Sequence, residues 1–170
     1  MTQPVLYLVG CATPPVLEIA DLVERAKARG WDVCLILTPT AAVWLEDQLP
    51  ALAALTGHPV RFRYKRPGEP DVLPPASAIL VAPASFNTIN KWAAGIADTL
   101  ALGLITEGVG KSVPLAALPH LNSWQAAHSA FDRSVAYLRG DGVDIVLGED
   151  RNQSKPFPWG LGLDAVSGAA

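Results

Sequence analysis

At 170 residues, half of them hydrophobic and 17% charged, the chain suits one domain with a substantial core and excludes a disordered polypeptide. A formal charge of −3, with no run of like charges, leaves no electrostatic case for nucleic acid or an anionic surface. Two cysteines and three scattered histidines lack metal-ligand spacing, and no apolar run is long enough to span a bilayer.

Residues 1–4 carry no basic region ahead of the first apolar run, so they read as the approach to a strand and not as a secretory signal. Residues 5–10 form a short continuous apolar segment, as expected for a central strand covered on both faces. Cys11 follows this segment and Cys34 lies in the next one, which reads as reduced, buried thiols of a cytoplasmic protein. Gly10 permits a tight turn, Thr13 can cap a helix, and Pro14 and Pro15 suit a first helical turn. Leu17, Ala20, Leu22, Val23 and Ala26 then recur at helical spacing until Gly30.

The unit repeats with a strand over residues 31–38. Thr40 can cap a helix through Ala41, Val43, Trp44, Leu45 and Leu49, which Pro50 should end or kink. A short helical piece over 51–55 closes at Gly57. Val60, Phe62 and Tyr64 alternate with Arg61 and Arg63 as in a half-exposed strand, and the proline- and charge-rich residues 65–75 read as a surface loop.

Residues 78–82 form a third apolar strand that runs into Ser85, Phe86, Asn87 and Thr88. A helix over 88–102 is expected after it, with Ile89, Trp92, Ala93, Ile96, Ala97 and Leu100 on one side. Residues 113–118 give another strand, ending at Pro119, His120, Leu121 and Asn122. Asn122 or Ser123 can cap a helix that places Trp124, Ala127, Phe131, Val135 and Leu138 at core spacing. A last strand spans 143–147. Residues 149–170 are expected as an irregular flap or arm of the domain formed by residues 1–148, with Phe157, Pro158 and Trp159 either closing over a ligand or packing the terminus.

Alternating strands and helices predict an α/β sandwich with a mostly parallel sheet, in which ligands bind outside the carboxyl ends of the strands. Three turns are expected to converge there: residues 10–13, 38–40 and 85–88. Each offers hydroxyls or helix-start amides and none carries Lys or Arg, an inventory that suits one phosphate held by neutral donors together with a flat aromatic body. A triphosphate loop of the glycine-rich, lysine-bearing type is absent. Ser85 or Asn87 can equally cap the following helix with no ligand present.

The segment Pro83-Ala84-Ser85-Phe86-Asn87-Thr88-Ile89-Asn90-Lys91, followed by Ala94-Gly95-Ile96-Ala97-Asp98, resembles the Pro-Ala-Ser-Ala-Asn-Thr signature of the homo-oligomeric flavin-containing cysteine decarboxylases. That family includes phosphopantothenoylcysteine and lantibiotic peptidyl-cysteine decarboxylases. The resemblance extends from Val5 to about Leu147. It implies a three-layer, Rossmann-like (flavodoxin-like) subunit that binds FMN and assembles as a trimer or a multiple of trimers. Gly10, Cys11, Ala12, Thr13, Thr38, Thr40, Ser85, Phe86, Asn87 and Thr88 are the positions it assigns to the cofactor, and His120, at a strand end, is the histidine best placed to touch it. The family's second signature, Pro-x-Met-Asn-x-x-Met-Trp, corresponds to Pro119-His120-Leu121-Asn122-Ser123-Trp124-Gln125, where Pro and Asn persist and both methionines are replaced. By resemblance Asn122 contacts a substrate carboxylate, and by its position it can cap a helix. Counting back from Pro83, the position of the family's catalytic histidine falls on Glu69, a carboxylate able to act as a base if buried.

In the family, the flavin takes a hydride equivalent from the cysteine β-carbon, giving a thioaldehyde that loses carbon dioxide. With the histidine and methionine positions altered, the expected protein is an FMN-binding, divergent decarboxylase-like enzyme acting on a small-molecule or peptide thiol. A non-catalytic flavin-binding regulatory or assembly subunit and a flavin prenyltransferase-like protein are the alternatives. The absence of basic residues from the three turns counts against the last of these.

Overall fold

The strands are short and almost wholly apolar, so they are stable only with both faces covered. In the computed structural model, which describes residues 2–167, β1 (Val5–Gly10), β2 (Asp32–Leu37), β3 (Ala78–Ala84), β4 (Leu115–Pro119) and β5 (Asp144–Ile145) form a single sheet in the order β2-β1-β3-β4-β5. Every pairing is parallel. This is the flavodoxin-like doubly wound order, whose switch point falls between β1 and β3.

Side chains alternate across the sheet with the strand period of two. Leu6, Leu8, Val33, Leu35, Leu37, Leu80 and Leu118 face one layer, packed on α1 (Ile19–Ala28), α2 (Pro39–Trp44), α3 (Leu49–Thr56) and a C-terminal helix. Val9, Ile36, Ile79, Val81, Leu115 and Ala117 face the other layer, packed on α4 (Phe86–Ala93), α5 (Leu100–Gly110) and α7 (Ser129–Gly140), which follows the single-turn α6 (Ser123–Ala126). Gly10 closes β1 at a point where a Cβ would lie 2.6 Å from Ile19 Cδ1 and 3.0 Å from Leu37 Cδ2. Its missing side chain thus makes room for the core. No helix among the described residues is long and apolar enough to cross a membrane.

Several local expectations differ from the structure for identifiable reasons. The cap of α2 is Thr38, not Thr40, because Pro39 occupies the first helical turn and the Thr38 hydroxyl accepts from the Ala41 N–H. Pro50 begins α3 instead of ending α2, a position where its missing N–H costs no helical bond. Residues 60–64 contribute only an isolated bridge, Ile36 with Arg61, and no strand. The helix expected over 88–102 divides into α4 and α5. Gly95 takes a left-handed conformation (φ 72°), and Thr99 starts afresh by capping Leu102 N–H. His128, expected inside a helix, is instead the cap that separates α6 from α7, its Nδ1 accepting from Ala130 N–H at 3.1 Å.

The C-terminal segment is the main correction. Residues 159–167 form α8 (Trp159–Ser167), whereas an irregular arm is expected from their small and aromatic residues; residues 168–170 lie outside the described part. Trp159, Leu163 and Val166 are buried against the sheet, and a Cβ at Gly162 would approach Leu80 Cδ1 to 3.1 Å. Phe157 is buried edge-on against Trp159, with centroids 4.6 Å apart. Packing of the terminus therefore describes these aromatics, and a flap does not. Trp92 is also buried, while Trp124, expected at core spacing, is 85% exposed.

A core helix and a loose arm respond differently to truncation of one side chain. Leu163→Ala is expected to lower stability by about 2–5 kcal/mol, the usual range for a buried leucine, as read from urea unfolding. A change of a few tenths would mean that α8 is not part of the cooperative core.

Candidate functional site

The carboxyl ends of β1 to β4 open into one cleft of about 760 Å³ at the switch point. Most of its walls come from the four loops that follow those strands. Ala12 and Thr13 follow β1, Thr38 and Thr40 follow β2, Ser85 to Thr88 follow β3, and His120 to Asn122 follow β4. The loops are tied to one another by backbone bonds that continue the sheet ladder. Thr38 N–H donates to Gly10 O, Cys11 N–H to Pro83 O, and His120 N–H to Ala84 O, each at 3.0 Å.

Four helix caps line this cleft: Thr38, Ser85, Thr99 and Asn122. The Ser85 hydroxyl accepts from Thr88 N–H at 3.1 Å and donates to Thr88 Oγ1 at 3.0 Å. Asn122 forms a capping box, its Oδ1 accepting from Gln125 N–H at 2.8 Å while Gln125 Oε1 accepts from Asn122 N–H. This arrangement uses the oxygen of the Asn122 amide and leaves its N–H₂ end available. Converging helix starts favour an anion through their unpaired amides and dipoles.

Thr13 carries the most direct sign of a ligand. Its hydroxyl is buried and has no hydrogen-bond partner among the described residues, although an unpaired buried polar group costs about 1–3 kcal/mol. Among the described residues the cleft wall contains no carboxylate and one ammonium, Lys91, which pairs with Asp98 at 2.7 Å. Its aromatic surfaces are Trp44, Phe86 and His120. A phosphate held by hydroxyls and amides, joined to a flat apolar body, fits this donor set. A second hollow of about 630 Å³ lies against α5 and residues 65–75, and of its charged residues Lys65 pairs with Asp71 and Lys111 with Glu107.

The comparisons with known proteins agree with this architecture. A family model described as Flavoprotein matches residues 3–165. The chain belongs to the Flavoprotein family. Among curated relatives of this flavoprotein, the coenzyme A biosynthesis bifunctional protein CoaBC of Vibrio vulnificus is 28% identical over 134 residues, 75% of this chain and 32% of the relative. The chain thus spans about a third of that relative's length. Among solved structures, the FMN-dependent cysteine decarboxylase SpaF superposes with a TM-score of 0.78 at 20% identity, covering 99% of this chain and 98% of the other. The peptidyl-cysteine decarboxylase EpiD gives 0.76 at 22% identity, covering 98% and 99%. At these identities the superpositions show the fold, which is that of the flavin-dependent cysteine decarboxylases.

Within the flavoprotein's cleft, Ala12, Thr13, Thr38, Thr40, Ser85, Phe86, Asn87, Thr88, His120 and Asn122 come together. Gly10 and Cys11 do not reach its wall. The Cys11 thiol is buried under the β3 turn, its pKa raised by burial and partly offset by hydrogen bonding with Thr88 and Ser85. Glu69 is not among the residues that line the cleft. Its exposed carboxylate accepts from Arg66 N–H at 2.9 Å, closing a turn in residues 65–75, and no burial makes it a base. Lys91, Thr99 and Gln153 also line the cleft and were not expected from sequence. Lys91 lies one helical turn from Asn87 and Thr88, a spacing that could have indicated it. Gln153 arrives from the C-terminal segment with no local signal.

The His120 ring is half-buried, with its pKa lowered by desolvation and by the nearby Lys155 ammonium. Lowering in the folded state means that stability is fully present above the unfolded-state value of about 6.5 and is lost as pH falls through the depressed value. Between about pH 7.5 and pH 5, wild-type protein is therefore expected to lose more stability than His120→Gln, measured as the change in urea midpoint. Thr13→Val removes the orphaned hydroxyl at nearly constant shape. It should leave the stability of the ligand-free protein, read from urea unfolding, unchanged or raise it by about 1 kcal/mol, and a marked fall would show that the hydroxyl has a protein partner.

Proposed function

We propose that this flavoprotein binds FMN in the switch-point cleft and acts as a divergent decarboxylase on a small-molecule or peptide thiol bearing a carboxylate. The observation that carries the reading is the buried, unpartnered Thr13 hydroxyl in a cleft of four helix starts without a carboxylate. Thr13, Thr38, Ser85 and Thr88 are the residues that would hold the phosphate and polyol, with Phe86 and His120 beside the ring system. Bound FMN supplies the hydride-accepting chemistry that side chains lack.

The chain's own residues bind and orient. The free N–H₂ of Asn122 donates to the substrate carboxylate, and its capping box fixes the direction of that donation. Leu121 and Leu102 keep water from the apolar part of the cleft. Buried Cys11 and Cys34 have raised thiol pKa values, Cys34 pushed up to about 12 by burial and by Asp32, so neither supplies a nucleophile at neutral pH. The reacting sulfur belongs to the substrate. Two buried free thiols also support the cytoplasmic assignment. The single cation on the cleft wall, already paired with Asp98, supports decarboxylation over transfer from an allylic phosphate. We propose self-association as a trimer or a multiple of trimers, as the family resemblance implies, with the exposed Trp124 and Trp44 available to an interface. Light scattering giving a monomer mass would remove that assignment.

Reconstitution with FMN and a visible spectrum test the cofactor. A yellow protein is expected, with Thr13→Val binding FMN about tenfold more weakly or worse. A colourless protein that takes up no flavin overturns the reading. Carbon dioxide release from a cysteine-terminated peptide or phosphopantothenoylcysteine tests the reaction. Asn122→Ala should raise KM about tenfold or more while retaining FMN, at a stability cost of about 1 kcal/mol for the lost cap. Flavin binding without turnover of either thiol would identify a non-catalytic subunit.

A further inference from the structure

We propose that His120 is the group that takes the thiol proton from the substrate bound in the cleft. The inference rests on the thiol-substrate reading above and adds to it the residue that ionises the sulfur.

The three histidines differ in what their rings do. His58 Nε2 lies 2.8 Å from Asp32 Oδ1, and His128 Nδ1 accepts the Ala130 N–H at 3.1 Å; both rings serve local structure. The His120 ring makes no hydrogen bond among the described residues. It meets Phe157 edge-on, with centroids 5.7 Å apart at 73°. Its backbone is fixed on the other side, where His120 N–H donates to Ala84 O. His120 lines the cleft, and its imidazole, steadied by an aromatic contact and by a backbone bond to β3, has no hydrogen bond among the described residues to prevent it from accepting a proton. Asn122, two residues on, stands at the same end of β4, so carboxylate binding and thiol ionisation fall to one loop.

The charges around the ring support that role. Lys155 is the cation that acts on it, Lys91 lines the same cleft while paired with Asp98, and no carboxylate among the described residues lines the wall. Burial and Lys155 keep the free imidazole neutral at physiological pH, able to accept. An incoming carboxylate beside Asn122 reverses the local balance, because a nearby anion favours imidazolium. In the step itself the S–H bond breaks, its electron pair stays on sulfur as thiolate, and the proton joins a ring nitrogen of His120. No oxidation is involved.

Mercaptoacetate, a thiol with an adjacent carboxylate, is a suitable probe. NMR titration of the histidine rings in the flavin-free protein, with and without it, reads proton uptake directly, and the signal missing from His120→Gln assigns the ring. The His120 pKa should rise by about one unit or more on ligand binding. An unchanged value, or no effect of the probe on that ring, overturns the proposal whether or not FMN binds. In the FMN-loaded protein the long-wavelength thiolate-to-flavin absorption should develop at lower pH in wild type than in His120→Gln, and coincident pH midpoints overturn it. With a turnover substrate, kcat should fall about 100-fold in the variant with little change in KM. His120→Asn keeps the backbone bond to Ala84 and provides a second variant if Gln disturbs folding. Failure of FMN uptake would sink the flavin reading alone, since the ring titration remains decisive for His120.

Discussion

The backbone ladder at the carboxyl end of the sheet is the constraint on which the site depends. A buried parallel sheet leaves no water for its N–H and C=O groups, so pairing continues until the chain reaches solvent. Here it runs past the strands into the loops, through the bonds of Thr38 to Gly10, Cys11 to Pro83 and His120 to Ala84. Each loop therefore begins from a fixed backbone position relative to its neighbour. Side chains immediately downstream, among them Thr13, Ser85 and Asn122, are held by the same ladder that holds the core together.

That mechanical coupling has a chemical consequence. Neutral donors can recognise an anion only if they are already aimed, because they lack the long reach of a formal charge. The caps provide the aim. Ser85 and Asn122 each spend an oxygen on a helix start, which fixes their rotamers, while Thr13 remains unpaired and buried. The cost of that orphaned hydroxyl is supported by the surrounding core, where Val16, Ile19 and Leu37 crowd against Gly10. Structure and site thus meet at one turn, with apolar packing beneath it and polar recognition above it.

Legibility of the chain varied with how local each determinant is. The apolar runs of β1 to β4 and the cap at Ser85 were readable because strand burial and capping depend on residues close in sequence. The break between α4 and α5 was less so: Gly95 and Thr99 are both signals, but a continuous apolar face from Ile89 to Leu100 masked them. The helix Trp159–Ser167 gives little local signal, because its segment Gly160-Leu161-Gly162-Leu163 has weak intrinsic helix propensity. Packing against Leu80 and Leu118 overrides that preference, and Gly162 permits the close approach.

The sequence by itself determined the alternation of strand and helix, the buried character of the sheet, and the small hydroxyl-rich turns at strand ends, since periodicity and turn chemistry are local properties. Only the tertiary structure decided which of those residues share a cleft. It brought Thr13, Thr38, Ser85, His120 and Asn122 together, added Thr99 and Gln153, and left Glu69 in an exposed loop. The physical reason is the strand order. Crossovers place β1 beside β3, so residues more than a hundred positions apart line one wall, and no spacing along the chain encodes that adjacency.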